Sequence, residues 1–147
     1  MKFIADAMLG SLAKRLRLLG FDVLYDPSST DNEVLRLSLE QERTILTRDT
    51  AFASRPLASN HLLITDDNID RQIEQVLAFF PAPAADALTR CSVCNGTLDA
   101  LSRKDAHDLV PDHVFATVGA YWRCRDCGKV YWKGSHVRNM GYLRTKK

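Results

Sequence analysis

The segment TILTRD, Thr44–Asp49, reads as a short apolar strand that delivers an arginine and an aspartate where it stops. The chain opens the same way with FIAD, Phe3–Asp6, and repeats the pattern with LLITDD, Leu62–Asp67. In a parallel sheet the strand C-termini gather on one edge, so Asp6, Asp49 and the pair Asp66 and Asp67 are expected to converge. Carboxylates crowded together repel one another unless something positive sits between them. Mg²⁺ or Mn²⁺, hard ions that take oxygen ligands and keep part of their water, match such a set. The competing reading is local: an aspartate after a strand also caps the next helix, as Asp49 before TAFA and Asp67 before NIDRQIE could do. Asp31 sits differently. Thr30 and Glu33 have capping-box spacing, which leaves Asp31 as a first-turn residue favoured by the helix dipole.

A second chemistry is written in the cysteines. Cys91 and Cys94 (CSVC) and Cys124 and Cys127 (CRDC) form two pairs, each with two residues inside, separated by 29 residues. Each pair can bite one ion, and four thiolates complete a tetrahedral structural Zn²⁺ site with no open position for catalysis. The spacer exceeds the common range of roughly 15 to 20 residues, which predicts that SRKDAHDLVPDHVF folds outside the ribbon. Asn95-Gly96 and Gly128 follow the second cysteine of each pair, where a knuckle needs positive φ. AYWRC and KVYW supply flanking strands. Two disulfides do not suit a reducing compartment, and a redox pair needs no second copy. In WKGSH, Gly134 predicts a turn, and His136 is read as a docking residue because the cysteines already complete a site. His61, His107 and His113 show no ligand spacing.

These residues need elements to hold them. KFIAD, DVLYD, TILTRD and HLLIT alternate with helical segments: LGSLAKRLRLLG with Leu9, Leu12, Leu16 and Leu19 on one face, TDNEVLRLSLEQE with Val34, Leu35 and Leu39 inward, a turn near residues 50–54, and NIDRQIEQVLAFF. That order predicts an α/β, doubly wound, mostly parallel sheet over residues 1–80. PAPAADA reads as a semi-rigid linker within 81–89, and residues 90–147 form the zinc-ribbon module with its four cysteines. The 147 residues suffice for one core and a small metal-stapled unit. Residues 1–89 carry nine Lys and Arg against thirteen Asp and Glu, a balance of −4, whereas eleven against five give residues 90–147 a balance of +6. An acidic half that gathers cations and a basic half that attracts polyanions suit a nucleic-acid partner. No segment has the length and apolarity of a membrane span. MKFIADAMLG places an aspartate inside what would be the apolar part of a signal peptide, so the expected location is cytoplasmic.

FIADAMLGSLAKRLRLLGFDVLYD, ILTRD and the span from RCxxC to CGKVYWKGSH resemble the PIN-like ribonuclease domain with an appended zinc ribbon, found alone in prokaryotes and at the C-terminal end of some mutator-type 3′ exonucleases. The resemblance implies a PIN-like fold, RNA as substrate and a divalent cation held by acidic residues. On this sequence its acidic positions fall at Asp6, Asp31 and Asp49. Asp66, Asp67, Asn68 and Asp70 all compete for the fourth, and Asp67 is preferred because Thr65-Asp66-Asp67 repeats the Thr47-Arg48-Asp49 spacing. Asp6 and Asp49 would bind Mg²⁺ or Mn²⁺ directly, Asp31 and Asp67 directly or through water. Lys14, Arg15 and Arg17, assigned to the polar side of the first helix, and Arg48 beside the acids would hold the backbone of single-stranded RNA. Tyr121, Trp122, Tyr131 and Trp132 are stacking candidates, although strand alternation turns half of them into the ribbon core. A phosphoacceptor receiver would need an adjacent acidic pair after the first strand, which this chain lacks. The remaining alternative is a non-catalytic RNA-binding module that uses the ribbon and its basic surface.

Overall fold

The structure, a computed structural model, describes residues 1–83 and 88–133. In its first half, strands β1 (Lys2–Ala5), β2 (Asp22–Leu24), β3 (Thr44–Thr47) and β4 (His61–Leu63) alternate with helices α1 (Gly10–Leu18), α2 (Asp31–Gln41), α3 (Thr50–Ala53) and α4 (Ile69–Phe79); a 3₁₀ turn at Pro56–Ala58 leads into β4. All pairings are parallel, in the order β2-β1-β3-β4. Parallel neighbours require crossovers, and the helices supply them.

Alternation along the strands divides the core between two faces. Phe3, Ala5, Val23 and Leu46 pack with Leu9, Leu12 and Leu16 and with Ile73 and Val76 of α4. Ile4 and Ile45 face the other way, against Val34 and Leu35 of α2, Phe52 of α3 and Ala58. Each fully buried side chain of this size contributes roughly 1.5–3 kcal/mol. The sheet is covered on both sides, the doubly wound α/β architecture that the alternating pattern predicts.

Thr30 accepts from the Glu33 N–H while the Glu33 carboxylate accepts from the Thr30 N–H, so the capping box forms and Asp31 opens α2. Leu39, expected inward, is instead 54% exposed. Ser38 takes the inner position, because its hydroxyl donates to the Arg43 carbonyl at 2.6 Å and closes the turn after the helix.

The second half holds an antiparallel sheet in the order β5-β6-β7: β5 (Leu98–Leu101), β6 (Tyr121–Cys124) and β7 (Val130–Trp132). The long spacer between the cysteine pairs folds as α5 (Arg103–Ala106) and α6 (Asp112–Thr117), as its length requires. Tyr121 pairs with Trp132 across the sheet and Trp122 with Tyr131. One face, including Tyr121 and Trp132, packs on Ala106, Val110 and Val114 of the excursion. The opposite face, including Tyr131 and Trp122, packs on Cys91, Cys124 and Leu98. Both tyrosines are buried and both tryptophans half-buried, so Tyr121 and Tyr131 leave the set of stacking candidates.

The ribbon docks on the sheet edge. β2 is an edge strand, whose free backbone groups would otherwise face solvent. Its Val23 N–H donates to Asn95 Oδ1 at 3.0 Å, and Asn95 Nδ2 donates to Asp22 Oδ1 at 2.8 Å. Leu18 of α1 packs into the cluster of Leu88, Cys91 and Tyr131. Leu88, placed in the linker by sequence, is thus part of the ribbon core. Gly134 and His136 lie outside the described residues. Among the described residues no helix is long and apolar enough to cross a membrane.

Candidate functional site

The strand order contains one switch point. From β1 the chain moves to β2 on one side and then returns to place β3 on the other. Crevices that accept ligands in open α/β sheets lie beyond the strand C-termini at such a point. Asp6 follows β1 there, and its N–H extends the ladder by donating to the Leu46 carbonyl of β3 at 3.0 Å. Asp6 is only 5% exposed. Its Oδ1 accepts from the Met8 N–H at 3.0 Å and its Oδ2 from the Thr47 hydroxyl at 2.5 Å. Thr47 Oγ1 in turn accepts from the Asp49 N–H at 3.0 Å, so one hydroxyl ties the two acidic positions together. Thr47 is not among the residues that the pattern singles out. The signal was present, since residues two apart near a strand end face the same way.

Asp49 performs the local role as well. Its Oδ1 caps α3 by accepting from Ala51 and Phe52, which leaves Oδ2 with no bond from the described residues. Asp31 is exposed in the first turn of α2, and Asp67 is exposed after β4, where Asn68 caps α4. Asp66 accepts from the Asn68 N–H and faces Arg71 at 3.7 Å; the Asn68 N–H, with the nearby Arg71 guanidinium, holds its carboxyl below the usual range. The parallel topology puts Asp6, Asp49 and Asp67 in the segments that follow β1, β3 and β4, and Asp31 at the start of the helix after β2; hydrogen bonding joins only Asp6 and Asp49, and the four form no group of three or more ligand atoms. None of Asp6, Asp31, Asp49 and Asp67 has an ion pair among the described residues. A buried carboxylate without a cation is costly unless a positive group completes it. The donors suit a hard cation: each Asp6 oxygen accepts one hydrogen bond and keeps a lone pair, and Asp49 Oδ2 accepts none among the described residues.

The sequence-predicted cations separate. Arg48 and Lys14 are exposed and Arg15 is half-buried, all without ion pairs among the described residues. Arg17 is not on the polar side of α1; it is 4% exposed, four residues beyond buried Ala13 and therefore on the same helix face. Its guanidinium donates to the Val23 carbonyl at 2.9 Å and to the Ser92 and Val93 carbonyls at 2.9 and 3.2 Å. Burial lowers its pKa, opposed by the neighbouring Cys91, Cys94 and Asp22. Arg17 joins the two halves of the chain and is withdrawn as an RNA contact.

The ligand atoms of Cys91, Cys94, Cys124 and Cys127 all lie within 4.8 Å of one another, and among the described residues no other group of three or more His, Cys, Asp or Glu could hold an ion. All four cysteines are free. An ion about 2.3 Å from each sulfur needs tetrahedral edges of about 3.8 Å; Cys91 to Cys127 is 3.6 Å and Cys94 to Cys124 is 3.4 Å. A zinc-sized ion fits with little movement. The knuckle turns form as expected, with Asn95 at φ 69° and Gly128 at φ 79°. A side chain at Gly96 would strike Asp126 and the Cys124 sulfur, the latter at 2.9 Å. The Tyr131 hydroxyl lies 2.9 Å from Cys91 Sγ. Burial raises the Cys91 thiol, but that hydroxyl and the backbone N–H groups of Cys94 and Val93 outweigh it and bring the thiol down to about 7. Burial leads the opposite result at Cys94, pushed up to about 12 with neighbouring cysteines acting in the same direction. A bound cation would displace the remaining protons, so its affinity falls with acidification.

A family model described as the Mut7-C RNAse domain matches residues 1–143. No curated protein and no solved structure matches the chain. The family match points to ribonuclease activity and RNA as substrate.

Proposed function

Because the chain belongs to the Mut7-C RNAse domain family, we propose that it is a divalent-metal-dependent ribonuclease that hydrolyses phosphodiester bonds of single-stranded RNA at the β1/β3 switch point. The observation that carries this reading is Asp6: a buried carboxylate at the crevice, hydrogen-bonded to Thr47, linked through it to Asp49, and without a cationic partner among the described residues. Asp6 and Asp49 would hold Mg²⁺ or Mn²⁺, and Asp31 and Asp67, which form no group of three or more ligand atoms with them, would contribute through water. When bound, such an ion supplies Lewis acidity toward a phosphodiester oxygen and lowers the pKa of bound water. The chain's own part is positional. Thr47 fixes the Asp6 rotamer, the α3 cap fixes Asp49 through Oδ1 and leaves Oδ2 without a bond among the described residues, and Arg48, between Thr47 and Asp49 in sequence, offers an exposed charge to the RNA backbone. In this reading residues 1–80 form the nuclease domain and 90–147 the ribbon, whose four-cysteine site holds one structural Zn²⁺, and of the intervening 81–89 the Leu88 side chain already belongs to the ribbon core.

A non-catalytic RNA-binding module has one observation in its favour: Asp49 serves as a helix cap and Asp31 and Asp67 stay exposed. Cleavage of single-stranded RNA with Mn²⁺ separates the two. Asp6→Asn and Asp49→Asn keep the shape, and the latter keeps a capping side chain. Each is expected to reduce cleavage by at least about a hundredfold, since loss even of a residue supporting a metal ligand costs 10–100-fold. Variants that cut as fast as the parent would refute the nuclease reading.

A further inference from the structure

A cleft of about 580 Å³ runs between α1, the start of α4 and ribbon strand β7. Lys14 and Arg15 line it from α1, Lys129 and Trp132 from the ribbon, with Ser11 and Ile69 from the starts of α1 and α4, and among the described residues no carboxylate lines it. Lys14, Arg15 and Lys129 have no ion pair among the described residues; Lys129 instead stands over the Tyr131 ring, 5.3 Å from its centroid. Trp132 packs partly on the excursion cluster and is also among the residues that line the cleft. Three cations without an ion pair among the described residues, beside a tryptophan, match a flexible polyanion that carries flat bases. The route also has a direction. Ser11 enters α1 just after the Asp6 loop, and Ile69 opens α4 just after Asp67, so the cleft leads from the ribbon toward the acidic edge.

We infer that this cleft is the track for a single-stranded RNA chain, with Lys14, Arg15 and Lys129 on its phosphates and Trp132 stacked on one base. The inference rests on the ribonuclease reading and adds that both halves of the chain build the binding surface. Neither the α/β sheet nor the ribbon alone supplies it, which accounts for the close docking of the two.

Binding of fluorescein-labelled oligo(U) of twelve nucleotides to the zinc-loaded Asp6→Asn chain, followed by anisotropy without added Mn²⁺, tests it independently of cleavage. Lys129→Glu is expected to weaken binding about tenfold or more and to lower the slope of log K against log salt by about 0.7. Lys104→Glu, on α5 and outside the cleft, is expected to leave both unchanged. In a Trp122→Phe chain, oligo(U) should quench the remaining Trp132 emission, and Trp132→Leu should weaken binding about tenfold or more. Parent-like binding by Lys129→Glu together with unquenched Trp132 would overturn the track even if the parent cleaves RNA. Equal competition by a duplex or by polyglutamate would overturn the assignment to single-stranded RNA. Retained cleavage by Asp6→Asn would instead strike the nuclease reading and leave the track standing.

Discussion

Thr47 is the smallest group on which the acidic edge depends. Its hydroxyl donates to buried Asp6 and accepts from the Asp49 N–H, so a single oxygen sets the relative position of two carboxyl-bearing residues. Thr47→Val keeps the branched shape and removes only that oxygen. It leaves a buried carboxylate oxygen with one partner fewer, which costs about 1–3 kcal/mol of stability. Misplacement of a group that supports a metal ligand lowers activity about 10–100-fold, so RNA cleavage should fall by that factor while Thr47→Ser recovers most of it. A Thr47→Val chain that cleaves at the parental rate would show that the hydroxyl positions nothing. Asp22 is the comparable residue away from that edge. Burial raises its pKa, but the hydrogen bonds from Arg43 and Asn95 and the charges of Arg43 and Arg90 outweigh it, so the carboxyl is held below 3.8. A depressed folded pKa stabilises the fold above the unfolded value and loses that contribution as pH falls through the folded value. The parent should therefore lose thermal stability below about pH 4 more steeply than Asp22→Asn, and parallel curves would contradict the assignment.

At the level of elements, α2 shows what a capping box contributes. Thr30→Ala removes the acceptor for the Glu33 N–H at an exposed helix start and should cost about 1 kcal/mol, a fall of about 2–4 °C in melting temperature for a chain of this size. An unchanged melting curve would show that the helix is held by Val34 and Leu35 alone. The same helix marks where sequence reading works and where it stops. Thr30 and Glu33 were legible because capping is local, and the four strands because apolar runs ended by turn residues are local as well. Leu39 was misread because the inner face near the helix end is decided by a tertiary bond, Ser38 to the Arg43 carbonyl. Arg17 was misread for a related reason. A cation four residues after a small alanine gives no sign that carbonyls of Val23, Ser92 and Val93 await it from two parts of the chain. The cysteine spacing was legible in full, since the ligand set is complete within the two motifs. The acidic edge was legible as a list of positions, whereas the hydrogen-bonded link through Thr47 required the strand order β2-β1-β3-β4.

On the scale of the whole molecule, the ribbon acts as the missing neighbour of β2. Asn95 meets the Val23 N–H, Arg17 bridges Val23 to the Cys91–Cys94 knuckle, and Asp22 gathers Asn95 and Arg90 from the ribbon together with Arg43 from the sheet. Loading of a metal at the knuckle would therefore be coupled to the integrity of the sheet edge. Removing zinc with a chelator should raise amide exchange at Val23 as well as in β5–β7, and protection at Val23 that survives chelation would show that the sheet edge stands alone. Arg17 provides the sharper test because it contains no ligand atom for the metal. Arg17→Met leaves three carbonyls without their charged donor, and hydrogen bonds to charged groups contribute about 1.5–3 kcal/mol each. Even partial replacement by water leaves a loss of about 3 kcal/mol, which corresponds to roughly 6–12 °C in melting temperature. Arg17→Lys should recover little, because a single ammonium cannot reproduce the planar fork that spans Val23 and Ser92. Zinc content should stay near one per chain in both variants, since the four cysteines remain. A melting temperature within about 2 °C of the parent, or loss of zinc in step with loss of Arg17, would mean that the guanidinium does not couple the halves in the way its three carbonyl contacts imply.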